Sequence, residues 1–431
     1  MLLKQKQSII FKIFIIFILF GLAISTLGPN DRKSNKKAKV NKESIKEKEQ
    51  VSDDINSNEA FKLADKLVSE RNLVNTYIES AREIIKNHNV YCESCANQKN
   101  FKAPVLGYVT PWNGRGYDIA KIFTNKFNYI SPVWLQIKRN GRKKYELTGT
   151  HDIDSNWINK IKQNSNGTSS FLPRILFEKL KMEDLHSLFN DEEEIDSLAK
   201  MLGDKCDQYN FDGYVFEIYV QLGGHSKMDI NHVISDLTNY LHKKNKLLIL
   251  VIPPPFAIDT KLKKHDENIL FDKTDFDGLK KIVDGFSLMT YDYASHNTII
   301  GPNAPYKWVE KNVLYYIKDE TPDIKAKILT GLNFYGTTYQ LDFKGKLQKQ
   351  PEPIVGNQLI DLLKKSKNVE FKYDEKSEEH IVLIKETTTQ TLIFYPSLYS
   401  IQKRLELAAD LGTGISIWEL GQGLDYFYDL I

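Results

Sequence analysis

The sequence is poor in cysteine, in net charge and in long apolar runs. The 431 residues carry a formal net charge of +3, which leaves no basic stripe for nucleic acid. Beyond the N-terminus no apolar run reaches membrane-spanning length. Cysteine occurs three times, at Cys92, Cys95 and Cys206. Cys92-x-x-Cys95 is spaced to close a small loop. A zinc site would need two further ligands, and there is no second pair. A redox C-x-x-C would open a helix after a strand, whereas this one follows a helical pattern. Cys206 falls within a helical pattern and reads as a buried free thiol. Gly223-Gly224-His225 lacks phosphate-binding spacing, so neither a nucleotide fold nor any cofactor is expected.

The N-terminus is the informative end. Lys4, Lys6 and Lys12 precede an apolar run of twelve residues, Ile13–Ile24, and Ala23-Ile24-Ser25 offers a small-x-small cleavage site. Residues 1–25 read as a signal peptide or, alternatively, as an uncleaved anchor that would hold the chain to a membrane. Residues 26–58, rich in Lys, Glu, Asn, Ser and Asp, read as a disordered charged linker. Residues 59–102 form an N-terminal helical extension. Its stripe Val74, Tyr77, Ile78, Ala81, Ile84 and Ile85 predicts a helix through residues 58–88, packed on the outside of the main domain.

From Ala103 onward, apolar β-type runs alternate with amphipathic helical runs. The predicted strands are Val105–Thr110, Phe127–Ile137, Phe171–Phe177, Phe211–Tyr219, Leu247–Pro253, Ile282–Tyr291, Ile328–Tyr335 and Gly414–Trp418. Helices are predicted at Glu193–Tyr209, Asn231–Asn245 and Leu398–Leu411. Eight alternations over residues 103–431 define an α/β fold, a parallel (β/α)8 TIM barrel. An excursion between strands seven and eight, with a helix near Gly356–Ser366 and runs at Val369–Tyr373, His380–Lys385 and Thr391–Tyr395, reads as a small α+β insertion.

Such barrels place their sites at the C-terminal ends of the strands. Those ends carry Tyr108, Thr110 and Trp112, Trp134, Glu178, Glu217 and Tyr219, Tyr291 and Asp292, Asn333 and Tyr335, and Trp418 and Glu419. Aromatic rings with carboxylates and amides are what a sugar groove needs, because rings stack on pyranose faces and polar groups bond hydroxyls. Within the fourth strand, alternation places Val215, Glu217 and Tyr219 on the inner face and Tyr214, Phe216 and Ile218 on the outer one. Asn166-Gly167-Thr168 is a glycosylation sequon in a polar loop. His151-Asp152-Ile153-Asp154 is explained by a capping Asp before a helix at Asn156–Lys162, not by a metal.

Five segments together resemble one family. Phe211–Tyr219, FDGYVFEIY, begins like the fourth-strand signature D-G-x-D-x-D-x-E of the family-18 glycoside hydrolases, the chitinase family. Asp212 and Gly213 match, while the three later acidic positions hold Val215, Glu217 and Tyr219. Leu106–Trp112 resembles the first-strand motif and Met289-Thr290-Tyr291-Asp292 the sixth-strand M-T-Y-D. Gly331–Gly336 is similar to the seventh-strand G-x-P-x-Y-G, with Asn333 in place of proline. Ser416–Gly421 carries the eighth-strand tryptophan. The resemblance implies that Tyr291 bonds an acetamido group and Trp418 floors the sugar subsite. The family's catalytic acid falls on Tyr219, and a phenol with a pKa of about 10 is a poor general acid near neutrality.

Longer strings at both ends of the barrel resemble a chitinase-like branch of the family. That implies a secreted or lysosomal lectin for chito-oligosaccharides, pathogen sensing in innate immunity, and a stabilin-type sorting receptor as candidate partner. Two other readings stay open. Glu217 is a displaced catalytic acid in one, and the barrel is a protein-interaction scaffold in the other.

Overall fold

A computed structural model describes residues 64–179, 181–258 and 269–431. The signal segment, the charged linker and the first residues of the extension lie outside the described residues.

The core is a sheet of strands β1 (Val105–Val109), β2 (Tyr129–Pro132), β3 (Leu135–Arg139), β4 (Tyr145–Thr148), β5 (Ser170–Phe171), β6 (Arg174–Phe177), β7 (Gly213–Glu217), β8 (Leu247–Ile252), β9 (Gly285–Leu288) and β10 (Ile328–Asn333). The insertion contributes β11 (Gly336–Asp342), β12 (Glu352–Ile354), β13 (Val369–Asp374), β14 (Glu379–Lys385) and β15 (Thr389–Phe394), and β16 (Gly414–Trp418) returns to the core. The order is β4-β3-β6-β7-β8-β9-β10-β16-β1-β2-β5. β2 and β3 are two halves of the predicted second strand, and β5 and β6 two halves of the third. β2 pairs with β5 through Tyr129↔Ser170 and β3 with β6 through Leu135↔Ile175, both parallel. The two ends of the sheet therefore meet, and the eight predicted strands close a barrel. The third strand breaks at Pro173, which has no N–H for the ladder. The antiparallel hairpin strand β4, edging β3, was not predicted.

Alternation along each strand builds two layers. Tyr214, Phe216 and Ile218, together with Ile130, Ile175, Leu250 and Phe286, point outward into the main core under the helices. Leu106, Leu172, Val215, Ile249, Val251 and Leu329 point inward and fill the barrel. Removing one such ring, as in Phe216→Ala, costs about 3–5 kcal/mol. The helices are bounded as the sequence implies. Asp191 caps Glu192–Tyr209 by accepting from the Glu193 N–H, and Asn210 ends it with φ 58°. Asp154 caps Ser155–Asn164 through the Trp157 N–H.

The insertion is larger than expected. It is a five-stranded antiparallel sheet, β12-β11-β15-β14-β13, with the helix Gly356–Lys365. The predicted long helix of the extension is corrected: among its described residues, α-helix is confined to Ala81–Asn87, and Tyr77 is 74% exposed. Asn72 sits at φ 56°, and the Asn75 side chain takes the Tyr77 N–H and donates to Asn72 O. Such local bonds compete with a helix. Cys92 and Cys95 are disulfide-bonded, and the Cys92 N–H donates to Asp429. The extension is thereby clasped to the C-terminal turn. Cys206 is free and buried, as expected.

Candidate functional site

The C-terminal ends of the strands gather an aromatic cluster at the barrel mouth. Tyr108 on β1 and Trp418 at the end of β16 lie 5.1 Å apart, ring centre to ring centre. The Tyr108 hydroxyl reaches across the barrel and donates to Ser287 Oγ of β9 at 2.9 Å. Tyr291 meets Tyr335 edge to face at 6.3 Å. Trp112 packs against the same cluster. Gly331 makes room for it: a Cβ there would lie 2.3 Å from Leu288 O and 3.0 Å from the Tyr291 ring. Asn333 pairs in register with Trp418 and donates to Tyr335 O at 2.8 Å. Asp292, held at φ 65°, accepts a short hydrogen bond from the Tyr335 hydroxyl. Burial pushes the Asp292 carboxyl up, against the nearby His296 and that hydrogen bond. Tyr108, Tyr291, Tyr335 and Trp418 are all buried.

Glu217 is the inward carboxylate of the fourth strand, its side chain 13% exposed. Its Oε2 pairs with Arg174 Nη1 at 3.2 Å. Arg174 opens β6 one layer below, level with Val215. Its Nε, and Ser131 Oγ on β2, are buried without a partner. The sequence reading passed over Arg174, although a lone arginine inside the apolar run Phe171–Phe177 was the available signal. Ser287 and Asn113 were passed over as well, because nothing in their local pattern marks them.

Three expected contacts are relocated. The fourth strand ends at Glu217, and Ile218 (φ −139°, ψ −36°) turns the chain into the short helix Tyr219–Leu222. Tyr219 is thus removed from the inner face. It is 1% exposed, its hydroxyl donates to Asn231 Oδ1 at 2.5 Å, and its ring meets Phe271 at 4.6 Å. Trp134 sits in the outer layer against Tyr117, Trp157 and Phe171, and its indole N–H donates to the Tyr117 hydroxyl at 2.7 Å. Glu419 is wholly buried behind Trp418. Asn166, in contrast, lies exposed in a turn, as a sequon requires.

Among the described residues, one His/carboxylate grouping has metal-ligand spacing: Glu192, His232 and Asp236, on outer helices. It is solvent-exposed and already self-paired, with His232 Nε2 2.9 Å from Glu192 Oε1. A separate crevice, lined by Leu73, Ile84, Leu359, His380, Val382 and Tyr426, lies between the extension and the insertion, away from the mouth.

A closed parallel barrel whose mouth carries tyrosines, a tryptophan and inward carboxylates defines a glycoside-hydrolase-like protein. The chain belongs to the glycosyl hydrolases family 18, whose model matches residues 105–423. Similar solved structures include a chitinase from Chromobacterium violaceum, with 19% identity, a TM-score of 0.59, and coverage of 76% of this chain and 97% of that one. The spore cortex-lytic enzyme SleL of Bacillus megaterium has 15% identity and a TM-score of 0.60, covering 82% and 84%. A class V chitinase mutant from Cycas revoluta, in complex with (GlcNAc)3, has 12% identity and a TM-score of 0.61, covering 76% and 98%. At these identities the likeness is one of fold.

Proposed function

We propose that the protein is a non-hydrolytic chitinase-like lectin that binds chito-oligosaccharides or related glycans at the barrel mouth. One observation carries the reading. The residue at the family's proton-donor position, Tyr219, has turned out of the barrel and bonds Asn231. Glycoside hydrolysis needs a carboxylic acid at the leaving oxygen. Of the three later signature acids only Glu217 remains a carboxylate, and it is engaged by Arg174. The sugar-contacting positions that the family implies, Tyr291 and Trp418, are kept and stand together with Tyr108, Trp112 and Tyr335 in one cluster.

The strings Gly107–Asn113, Ser131–Gln136, Gly285–Asp292 and Trp418–Tyr428 support a closer kinship with chitinase domain-containing protein 1, the stabilin-interacting chitinase-like protein. On that kinship the protein is secreted or lysosomal, glycosylated at Asn166, a partner of a stabilin-type receptor and active in pathogen sensing. The Cys92–Cys95 bond fits an oxidising compartment. The test is incubation of the purified protein with a fluorogenic chito-oligosaccharide. No turnover is expected. Turnover that disappears in Glu217→Gln would overturn the reading and make Glu217 the acid.

A further inference from the structure

Glu419 was expected to touch sugar, yet its carboxyl group is sealed behind Trp418. Oε1 accepts from Asn113 Nδ2 at 2.7 Å, and Oε2 accepts from the Gly421 N–H at 3.1 Å. Asn113 ends the loop that leaves β1 and carries Trp112. Gly421 lies in the loop that leaves β16 directly after Trp418. One carboxyl group therefore ties together the two loops that present the mouth's tryptophans. The knot is packed to the backbone. A Cβ on Gly116 would lie 3.2 Å from Glu419 Oε2, and one on Gly421 would lie 2.5 Å from Gly116 N and 2.7 Å from the Asn113 amide. Thr110 also faces the carboxyl with its backbone N–H and its hydroxyl, and the hydroxyl is buried without a hydrogen-bond partner.

Among the described residues no cation is paired with the group, and Tyr117, on the helix Arg115–Ile122, and Tyr428, in the C-terminal turn, feel its charge. Arg115, on the same helix, is engaged by Asp425 and Asp118. A buried carboxylate without a countercharge is costly, whereas a carboxylic acid can donate its proton to a hydroxyl.

We propose that Glu419 is a positioning residue: its carboxyl group, accepting from Asn113 Nδ2 and the Gly421 N–H, clamps the two loops together and fixes Trp112 and Trp418 as one sugar-binding floor. The sugar half of this inference rests on the reading of Trp418 given above; the clamp does not. Burial pushes the Glu419 carboxyl up to about 8, against the lowering by the Gly421 N–H, Asn113 and Thr110. The clamp is therefore uncharged in neutral solution and gains a negative charge near pH 8.

The experiment uses the full chain labelled with 5-fluorotryptophan. The Trp418 fluorine resonance, assigned by comparison with Trp418→Phe, is followed from pH 5 to 9.5, and chitotetraose affinity is measured over the same range. The wild-type resonance is expected to titrate near pH 8, with affinity changing over the same step. Glu419→Gln keeps one acceptor oxygen and cannot ionise, so its resonance and affinity stay flat with pH. Glu419→Ala is expected to bind about tenfold more weakly at pH 6. A Gln variant that titrates like the wild type would overturn the proposal, even if the Ala variant fails to fold. So would an Ala variant that binds as the wild type does. If the wild type binds no sugar while its resonance titrates and that of Glu419→Gln does not, the clamp stands and the sugar reading falls.

Discussion

Changing Tyr219 to glutamate restores the family's signature at the proton-donor position, so it asks whether that position still faces the barrel. The structure says that it does not. Tyr219 is 1% exposed, its ring is packed edge-on to Phe271, and its hydroxyl bonds Asn231, which donates in turn to Asp275 at 2.8 Å. A glutamate there forfeits the ring packing, about 3–5 kcal/mol by analogy with aromatic truncations. It also brings a second carboxyl towards Asp275, which adds to the loss. Against a domain stability of about 5–15 kcal/mol this is a large fraction. Tyr219→Phe keeps the ring and loses one hydrogen bond, about 1 kcal/mol. Urea unfolding of the three proteins, with turnover of a fluorogenic chitobioside in parallel, gives both readouts. Tyr219→Glu is expected to lose at least ~3 kcal/mol and gain no activity. A folded Tyr219→Glu protein that hydrolyses the substrate would refute the placement of residue 219 outside the barrel.

Other perturbations follow from the same geometry. Arg174→Met leaves Glu217 buried and unpaired, so unfolding should cost about 3–5 kcal/mol less, and adding Glu217→Gln should recover most of that; recovery absent from urea melts would mean the ion pair is not what the arginine supports. Burial holds the carboxyl of Asp429 up to about 6 and that of Glu419 up to about 8, so the folded chain keeps protons that the unfolded chain releases. Their stabilisation is present in full below the unfolded carboxyl range and is lost as pH rises through about 6 and then about 8. Melts from pH 5 to 9 should weaken by at most ~4 kcal/mol at Glu419, and Glu419→Gln should flatten the alkaline step. Opening the Cys92–Cys95 loop with a double Cys→Ala change should cost about 2 kcal/mol, as expected for a loop this short.

The barrel was legible because its cause is periodic. Continuous apolar runs such as Leu247–Ile252 and capped helices such as Leu398–Leu411 announce themselves locally. The closure was less legible, because the second and third strands each break in the middle, and only pairing across the chain shows the halves meeting. Inner-face placement was legible where the strand runs as far as the residue, as at Tyr108, Glu217 and Trp418. It failed where the chain leaves the strand early. Strict alternation kept Tyr219 inside, but the turn at Ile218 depends on what Asn231 and Phe271 offer outside. Trp134 failed for a different reason: Ile130 faces outward, so alternation itself carries Trp134 to the outer layer while Val133 points inward. Glu419 and Asn113 form a clamp between residues 306 apart, which no local pattern encodes. Arg174 was visible as a charge in an apolar strand and was undervalued.

A barrel that binds chito-oligosaccharides without cutting them, as proposed, is open to a direct test. Calorimetric titration of chitotetraose into the purified protein, with the recovered sugar then analysed for cleavage, tests it most directly. Saturable binding with intact sugar, lost in Trp418→Ala while the fold is kept, is the expected result. Cleaved sugar, or no binding at all, would contradict the account.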